Sequence, residues 1–445
     1  MNKSWTTFDF RSGAPVVRQA VHWDRDVHLD GRPLMDQLAR VLPTAAADLM
    51  ELATAVYTAD RLKARDVADA YKLGWSRRLR LHVPVRLPDL WESHADALVR
   101  LLSWLTDDEW SLHFHQTDPA TAPLDNPQDY LFPTVPDHAC VALFSGGLDS
   151  TAGLAVDLDT DPVTDVLTVR VVTNGRMESR QKAILRHFGS RVHDCRLPLS
   201  LASGLSAESS QRTRGFLFMA AGVATALTAG KNVLRVYENG IGAINLPLLE
   251  SQRGSQATRA VHPRTVRMME RLATSLNGGG FRIELPHLWS TKAELLLKAP
   301  ASFSEAYANS VSCDRGFATR TEGARPCGRC TSCILRRQSV FASGLLQIDS
   351  GQQYRHRLDA APLPWELRAS LWQIHRIRVA LDDSDPWSAF LHEFPQVLDV
   401  PATERESGRA AVLRLYGQYC AEWQAMARQL GVNMSNWGLE GAAAA

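Results

Sequence analysis

The chain has 445 residues, room for about three domains. Hydrophobic residues make up 45% and charged residues 22%, which excludes wholesale disorder. Lys and Arg total 49 against 48 Asp and Glu, so no net charge draws the chain to duplex nucleic acid or an anionic membrane, and neither is expected as a partner.

The first zone, 1–135, opens on MNKSWTTFDF, which has no apolar h-region, so no secretory signal is expected. Residues 45–59 are Ala-rich and helical in pattern. Residues 79–85 alternate Arg80, His82 and Pro84 with Leu81, Val83 and Val85, a strand signal. Helical spacing returns at 95–105. These elements read as a small α+β domain, and the Pro-rich stretch 121–136 reads as a linker.

The second zone, 136–344, alternates strands and helices. Strands are expected at 141–144, 166–172, 191–197, 233–237 and 281–285, with helices from 150, at 178–188 and at 212–229. Repeated β-α-β with near-continuous apolar strands predicts a doubly wound α/β fold, a parallel sheet covered on both faces. The longest uncharged stretch, 215–230, is short of a membrane span and suits a buried helix. The third zone, 345–438, shows helical spacing at 364–381 and 402–430 and no strand signal. Residues 439–445 are a tail. Of the 12 Trp, only Trp289 lies in the second zone, so the flanking zones are where a partner surface is sought.

The first chemical signal lies between the strand at 141–144 and the helix that follows: Ser145-Gly146-Gly147-Leu148-Asp149-Ser150-Thr151. Two glycines permit a tight turn and close approach of phosphate oxygens. Successive N–H groups form an anion nest, backed by the helix N-terminus. Ser145, Ser150 and Thr151 offer hydroxyl donors. The Walker A pattern and its lysine are absent, so charge must be met from elsewhere. Asp149 makes sense if it holds Mg²⁺ or water around a pyrophosphate.

The second signal is Cys313, Cys327, Cys330 and Cys333, the last three at strict i, i+3, i+6 spacing. Four thiolates satisfy tetrahedral Zn²⁺, and Gly328 allows the tight knuckle turn. A closed four-thiolate site is structural and leaves no position for an activated water. Cys140, Cys195 and Cys420 read as inert thiols. The total of seven cysteines fits a reducing compartment, so the cytoplasm is the expected location.

The loop at 145–151, Thr291-Lys292-Ala293-Glu294, the four cysteines and Arg336-Arg337 together resemble the QueC family, the 7-cyano-7-deazaguanine synthases. The resemblance implies an adenine-nucleotide alpha hydrolase-like fold with a pyrophosphate loop. It implies ATP as cosubstrate, cleaved to AMP and pyrophosphate to adenylate the carboxylate of a 7-deazaguanine-type small molecule. The Gly-Tyr-Pro-Asp-Cys-Arg-like segment of the family is missing here. Its place holds residues 238–247, followed by 259–264. With both flanking zones, the chain looks like the QueC-like subunits of bacterial anti-phage operons, which implies operon partner proteins and an amine, perhaps a protein's, as nucleophile.

Candidate site residues follow. Glu238, Asn239 and Gly240 come just after a strand, where ligands of open parallel sheets lie, or form a simple turn. Asn245 and Arg259 extend that substrate segment. Arg212 and Arg214 start a long helix and either grip phosphate or substrate carboxylate or sit in solvent. Lys292 neutralises the leaving pyrophosphate or is an exposed helical lysine. His262 is a general base or a loop hydrogen-bonder. Asn174 follows the second strand, where adenine is read by backbone groups. The rival functions are a synthase that makes the free nitrile with ammonia, and a scaffold or sensor that binds nucleotide or nucleobase without turnover.

Overall fold

The computed structural model describes residues 4–11, 20–65, 76–117, 122–124, 136, 139–173, 175–248, 258–314, 325–358 and 363–429. Most of the linker expected at 121–136 and all of the tail at 439–445 lie outside them.

The first zone holds β1 (Thr6–Arg11), β2 (Val21–His22), β3 (Val27–Leu29), α1 (Arg32–Leu38), α2 (Thr44–Leu62), β4 (Arg78–Val85), α3 (Pro88–Thr106) and β5 (Glu109–Gln116). The alternation at 79–85 is the pleat of β4, with Leu79, Leu81, Val83 and Val85 buried. The α+β expectation needs correcting. Strands pair in the order β2-β1-β4-β5 and every pair is parallel. Parallel neighbours need a crossover, and α3 supplies it between β4 and β5.

The second zone holds β6 (Cys140–Leu143), α4 (Leu148–Thr160), β7 (Val166–Val172), α5 (Gly175–Leu185), β8 (Val192–Leu201), α6 (Arg214–Thr228), β9 (Val233–Val236), α7 (Gly240–Ile244), α8 (Pro263–Leu276), β10 (Arg282–Glu284), α9 (Lys292–Lys298), α10 (Ser304–Asn309) and α11 (Thr331–Ala342). Its sheet runs β10-β9-β6-β7-β8-β3. The five strands of this zone pair parallel. All seven residues of β7 are buried, as a central parallel strand requires. From β6 the chain steps outward to β7 and β8, then returns to place β9 on the other side of β6. The strand order reverses there, and the carboxyl ends of strands at such a point are where ligands of open parallel sheets lie.

The first zone contributes to this sheet. β3 pairs antiparallel with β8, Val27 opposite Leu201. α2 packs along α6, and its small alanines allow the close approach. Buried charges lock the contact. Asp60 accepts from the Thr213 backbone and hydroxyl at 3.1 and 2.9 Å and pairs with Arg77 at 2.5 Å. Asp108 pairs with Arg77 at 2.6 Å and Arg65 at 2.7 Å.

The third zone is helical: α12 (Trp365–Leu381), α13 (Pro386–Glu393) and α14 (Glu406–Gln429). Leu371, Ile374, Phe390, Tyr416 and Trp423 form a core that Ile241, Ile244 and Ile334 of the second zone complete. Trp423 and Trp91 are fully buried, so those two indoles are packing groups.

Candidate functional site

The loop after β6 turns at Gly146, whose φ of +78° lies in the left-handed region that glycine tolerates. A Cβ there would stand 2.8 Å from Gln181 Cγ. Two loop carbonyls are held from outside. Gln181 Nε2 donates to Ser145 O at 2.9 Å, and Val311 N donates to Gly146 O at 3.0 Å. Gln181 is itself oriented by Arg170, a buried residue of β7 that pairs with Asp194 at 2.5 Å and donates to Gln181 Oε1 at 3.2 Å. Ser145 Oγ accepts from Gly147 N at 3.2 Å and lies 3.1 Å from Ser150 Oγ.

Two of the expected hydroxyl donors are turned inward. Ser150 and Thr151 donate to Gly147 O at 3.0 and 2.8 Å. Thr151 is fully buried and supports the loop from within instead of facing a phosphate. Leu148 is buried too, so only its backbone is available to a ligand.

Asp149, at the start of α4, meets the segment after β9. Asn239 Nδ2 donates to Asp149 Oδ1 at 3.0 Å and to Glu238 Oε1 at 2.9 Å, while Asn239 Oδ1 accepts from Gly242 N at 3.1 Å and caps α7. Lys292 completes the group. It is the first residue of α9, is buried, and its Nζ donates to Asp149 Oδ2. Burial, then the charge of Asp149, pushes the Glu238 carboxyl up to about 8, with Lys292 opposing. The carboxyl ends of β6 and β9 thus bring together the Gly-Gly turn, an aspartate with its own ammonium, and a carboxyl pushed up to about 8.

Other candidates are placed differently. Gly240 is a packing glycine, since a Cβ there would lie 2.0 Å from Leu288 O and 2.6 Å from Leu415 Cδ2. Asn245, at φ +46°, ends α7 and donates to Thr258 O at 2.9 Å. Arg212 and Arg259 both pair with Asp107 of the first zone at 2.9 Å, so neither is a free anion grip. Arg214 lies over the Phe218 ring at 4.7 Å. His262 caps α8, its Nδ1 accepting from Arg264 N at 3.1 Å, and its ring meets Trp104 edge-on at 5.4 Å. Burial, then Arg259 and Arg264, pushes its imidazole down to about 3, so it is a neutral cap and unsuited to a general base near pH 7. Arg212, Arg259 and His262 share one cause: they seat their segments on the first zone, through Asp107 and Trp104. Asn174 lies outside the described residues.

Sequence reasoning passed over Gln181, Arg170 and His287. The first two lie inside a helix and a strand, and nothing local marks them. His287 follows β10 at the carboxyl end of the sheet, is buried beside Tyr237, and its Nε2 has no hydrogen-bond partner among the described residues. A histidine just past a strand end was the available signal.

The four cysteines come together. Their sulfurs all lie within 4.8 Å of one another, with Cys327 Sγ and Cys333 Sγ 4.0 Å apart. A tetrahedron with bonds of about 2.3 Å has edges of about 3.8 Å, so the cluster fits a metal such as zinc. Backbone N–H groups already serve the sulfurs: Cys327 N donates to Cys313 Sγ at 3.3 Å and Cys330 N to Cys327 Sγ at 3.2 Å. Gly328, at φ +78°, makes the turn between them. The knuckle reaches the loop through few residues. Cys313 follows Val311, which holds Gly146 O, and buried Arg336 of α11 donates to Ser310 O at 3.1 Å and Tyr307 O at 3.1 Å. Burial pushes the thiols of Cys140 and Cys420 up to about 11 and about 12 and raises that of Cys195, as inert cysteines require.

The family model of the queuosine biosynthesis protein QueC matches residues 260–344. No curated protein matches the chain. The matched segment carries Lys292 and all four cysteines, whereas the loop at 145–151 and Glu238 lie outside it. The match covers 85 of the 445 residues, and over that segment the chain is similar to QueC. Among the described residues, no helix is long and apolar enough to cross a membrane.

Proposed function

We propose that the protein adenylates the carboxylate of a 7-deazaguanine-type substrate and passes it to an amine, as a QatC-type member of a bacterial anti-phage system acting in the cytoplasm with operon partners. The observation that carries this reading is the meeting of Lys292, from the QueC-matched segment, with Asp149 of the Gly-Gly turn, at the carboxyl ends of β6 and β9. The chain divides in this reading into a flanking domain to about 135, the nucleotide-using domain to about 344, and a helical domain to about 438.

ATP lies with its phosphates on the backbone of 145–148. A substrate carboxylate oxygen attacks the α-phosphorus, the bond to the β-phosphate oxygen breaks, and pyrophosphate leaves with that electron pair. Lys292 meets the charge that accumulates on the leaving group. Asp149 would hold a Mg²⁺ that comes with the nucleotide, and that ion would offset phosphate charge. The amine then attacks the acyl carbon, AMP departs, and the amine's proton passes to solvent. Protonated Glu238 donates to a ring or carbonyl acceptor of the base, and Asn239 fixes its orientation. Zinc at the four cysteines contributes structure.

The test is ATP–pyrophosphate exchange against a panel of 7-deazaguanine carboxylates, with and without the neighbouring gene products. Substrate-dependent exchange that disappears in Asp149→Ala is expected. ATP binding without exchange under every condition refutes the enzyme and leaves the sensor. A free nitrile by mass spectrometry identifies ammonia as the nucleophile.

A further inference from the structure

Lys292 stands at the first position of α9, so its direction depends on how that helix starts. Thr291 is the N-cap, and a capping box joins it to Glu294: Glu294 N donates to Thr291 Oγ1 at 3.1 Å, and Thr291 N donates to Glu294 Oε2 at 2.8 Å. Both members of the box are held from the third zone. Glu422 of α14, buried, accepts the Thr291 hydroxyl, and Gln338 and Gln418 donate to the same carboxylate at 3.3 and 3.2 Å. Arg414 pairs with Glu294 at 2.5 Å and donates to the Trp289 carbonyl.

Residues 414, 418 and 422 are spaced i, i+4, i+8 and lie on one face of α14. Beside them, Leu415 fills the space over Gly240. One helical face therefore touches both segments that converge on Asp149. By taking the single hydroxyl proton of Thr291, Glu422 leaves the oxygen's lone pairs to the Glu294 N–H, which fixes the first turn of α9 and the root of the Lys292 side chain.

We infer that α14 belongs to the machinery of the site: Glu422 and Arg414 are positioning residues that set Lys292 against Asp149. The catalytic consequence rests on the function proposed above, whereas the positioning itself does not. A displacement of about 1 Å at a catalytic group costs up to roughly 100-fold in rate, so loss of either brace is felt in turnover more than in nucleotide binding.

The experiment uses the full chain in three forms, Glu422→Ala, Glu422→Gln and Arg414→Gln, with two readouts. The first needs no activity. Lys292 is acylated by acetic anhydride and quantified by peptide mass spectrometry against Lys182, whose side chain is 45% exposed. Lys292 labels slowly in the wild type and about tenfold faster in Glu422→Ala, while Glu422→Gln, which keeps an acceptor for Thr291, stays near wild type. The second is pyrophosphate exchange: kcat falls about tenfold in Glu422→Ala and a few-fold in Arg414→Gln, with KM for ATP within about twofold. Arg414 has a half-exposed side chain, so its variant folds even if Glu422→Ala does not. Unchanged Lys292 labelling in the folded variants overturns the inference. So does a Glu422→Gln variant as defective as Glu422→Ala with a matching drop in melting temperature, since that marks packing alone. If the wild type shows no exchange, the proposed function falls and labelling alone decides the positioning.

Discussion

Replacing Lys292 by Met removes the ammonium but keeps most of the side-chain volume. The Lys292 and Asp149 side chains are 6% and 12% exposed, so the pair is shielded from water. Breaking a buried pair by removing one partner costs about 3–5 kcal/mol, because the remaining charge is left uncompensated. Urea unfolding of Lys292→Met against wild type at pH 7, without nucleotide, should therefore show a deficit of about 3–5 kcal/mol. Asp149→Asn/Lys292→Met, with no stranded charge, should recover most of that loss. A deficit below about 1 kcal/mol, or a double variant no better than the single one, refutes the buried pair. Pyrophosphate release by the single variant should fall by about 100-fold or more, since the departing charge then loses the ammonium.

Three further outcomes are expected. The purified protein should carry one zinc per chain by mass spectrometry under native conditions, and Cys330→Ser should lose it together with the nucleotide-free fold around α11; wild-type protein that stays metal-free when refolded with excess zinc counts against the site. Glu238 holds in the folded state a proton that an ordinary glutamate near 4.5 releases, so its contribution to stability is present below about 4.5 and lost as pH rises toward about 8. Glu238→Gln should flatten the fall in unfolding free energy between pH 5 and pH 8 by on the order of 3 kcal/mol, and parallel wild-type and variant curves would contradict this. Asp108→Ala should destabilise by about 3–5 kcal/mol by leaving the buried guanidinium groups of Arg65 and Arg77 with one carboxylate fewer, measured by thermal unfolding; a change below about 1 kcal/mol is incompatible with the network described.

The sequence by itself determined what depends on a few neighbouring residues. The Gly-Gly turn between β6 and α4, the spacing of Cys327, Cys330 and Cys333 and the pleat of β4 are each written within about a turn or a strand of chain, and the structure forms them there. Only the tertiary structure decided which distant groups meet. Lys292 finds Asp149 across 143 residues, while Arg212 and Arg259, also cationic side chains, go to Asp107. β3 leaves its own zone to border β8, and α14 reaches back to brace α9. The reason is that a charged side chain takes the partner that packing brings within reach and shields from water, and that choice is made by how helices and strands far apart in the chain fit together.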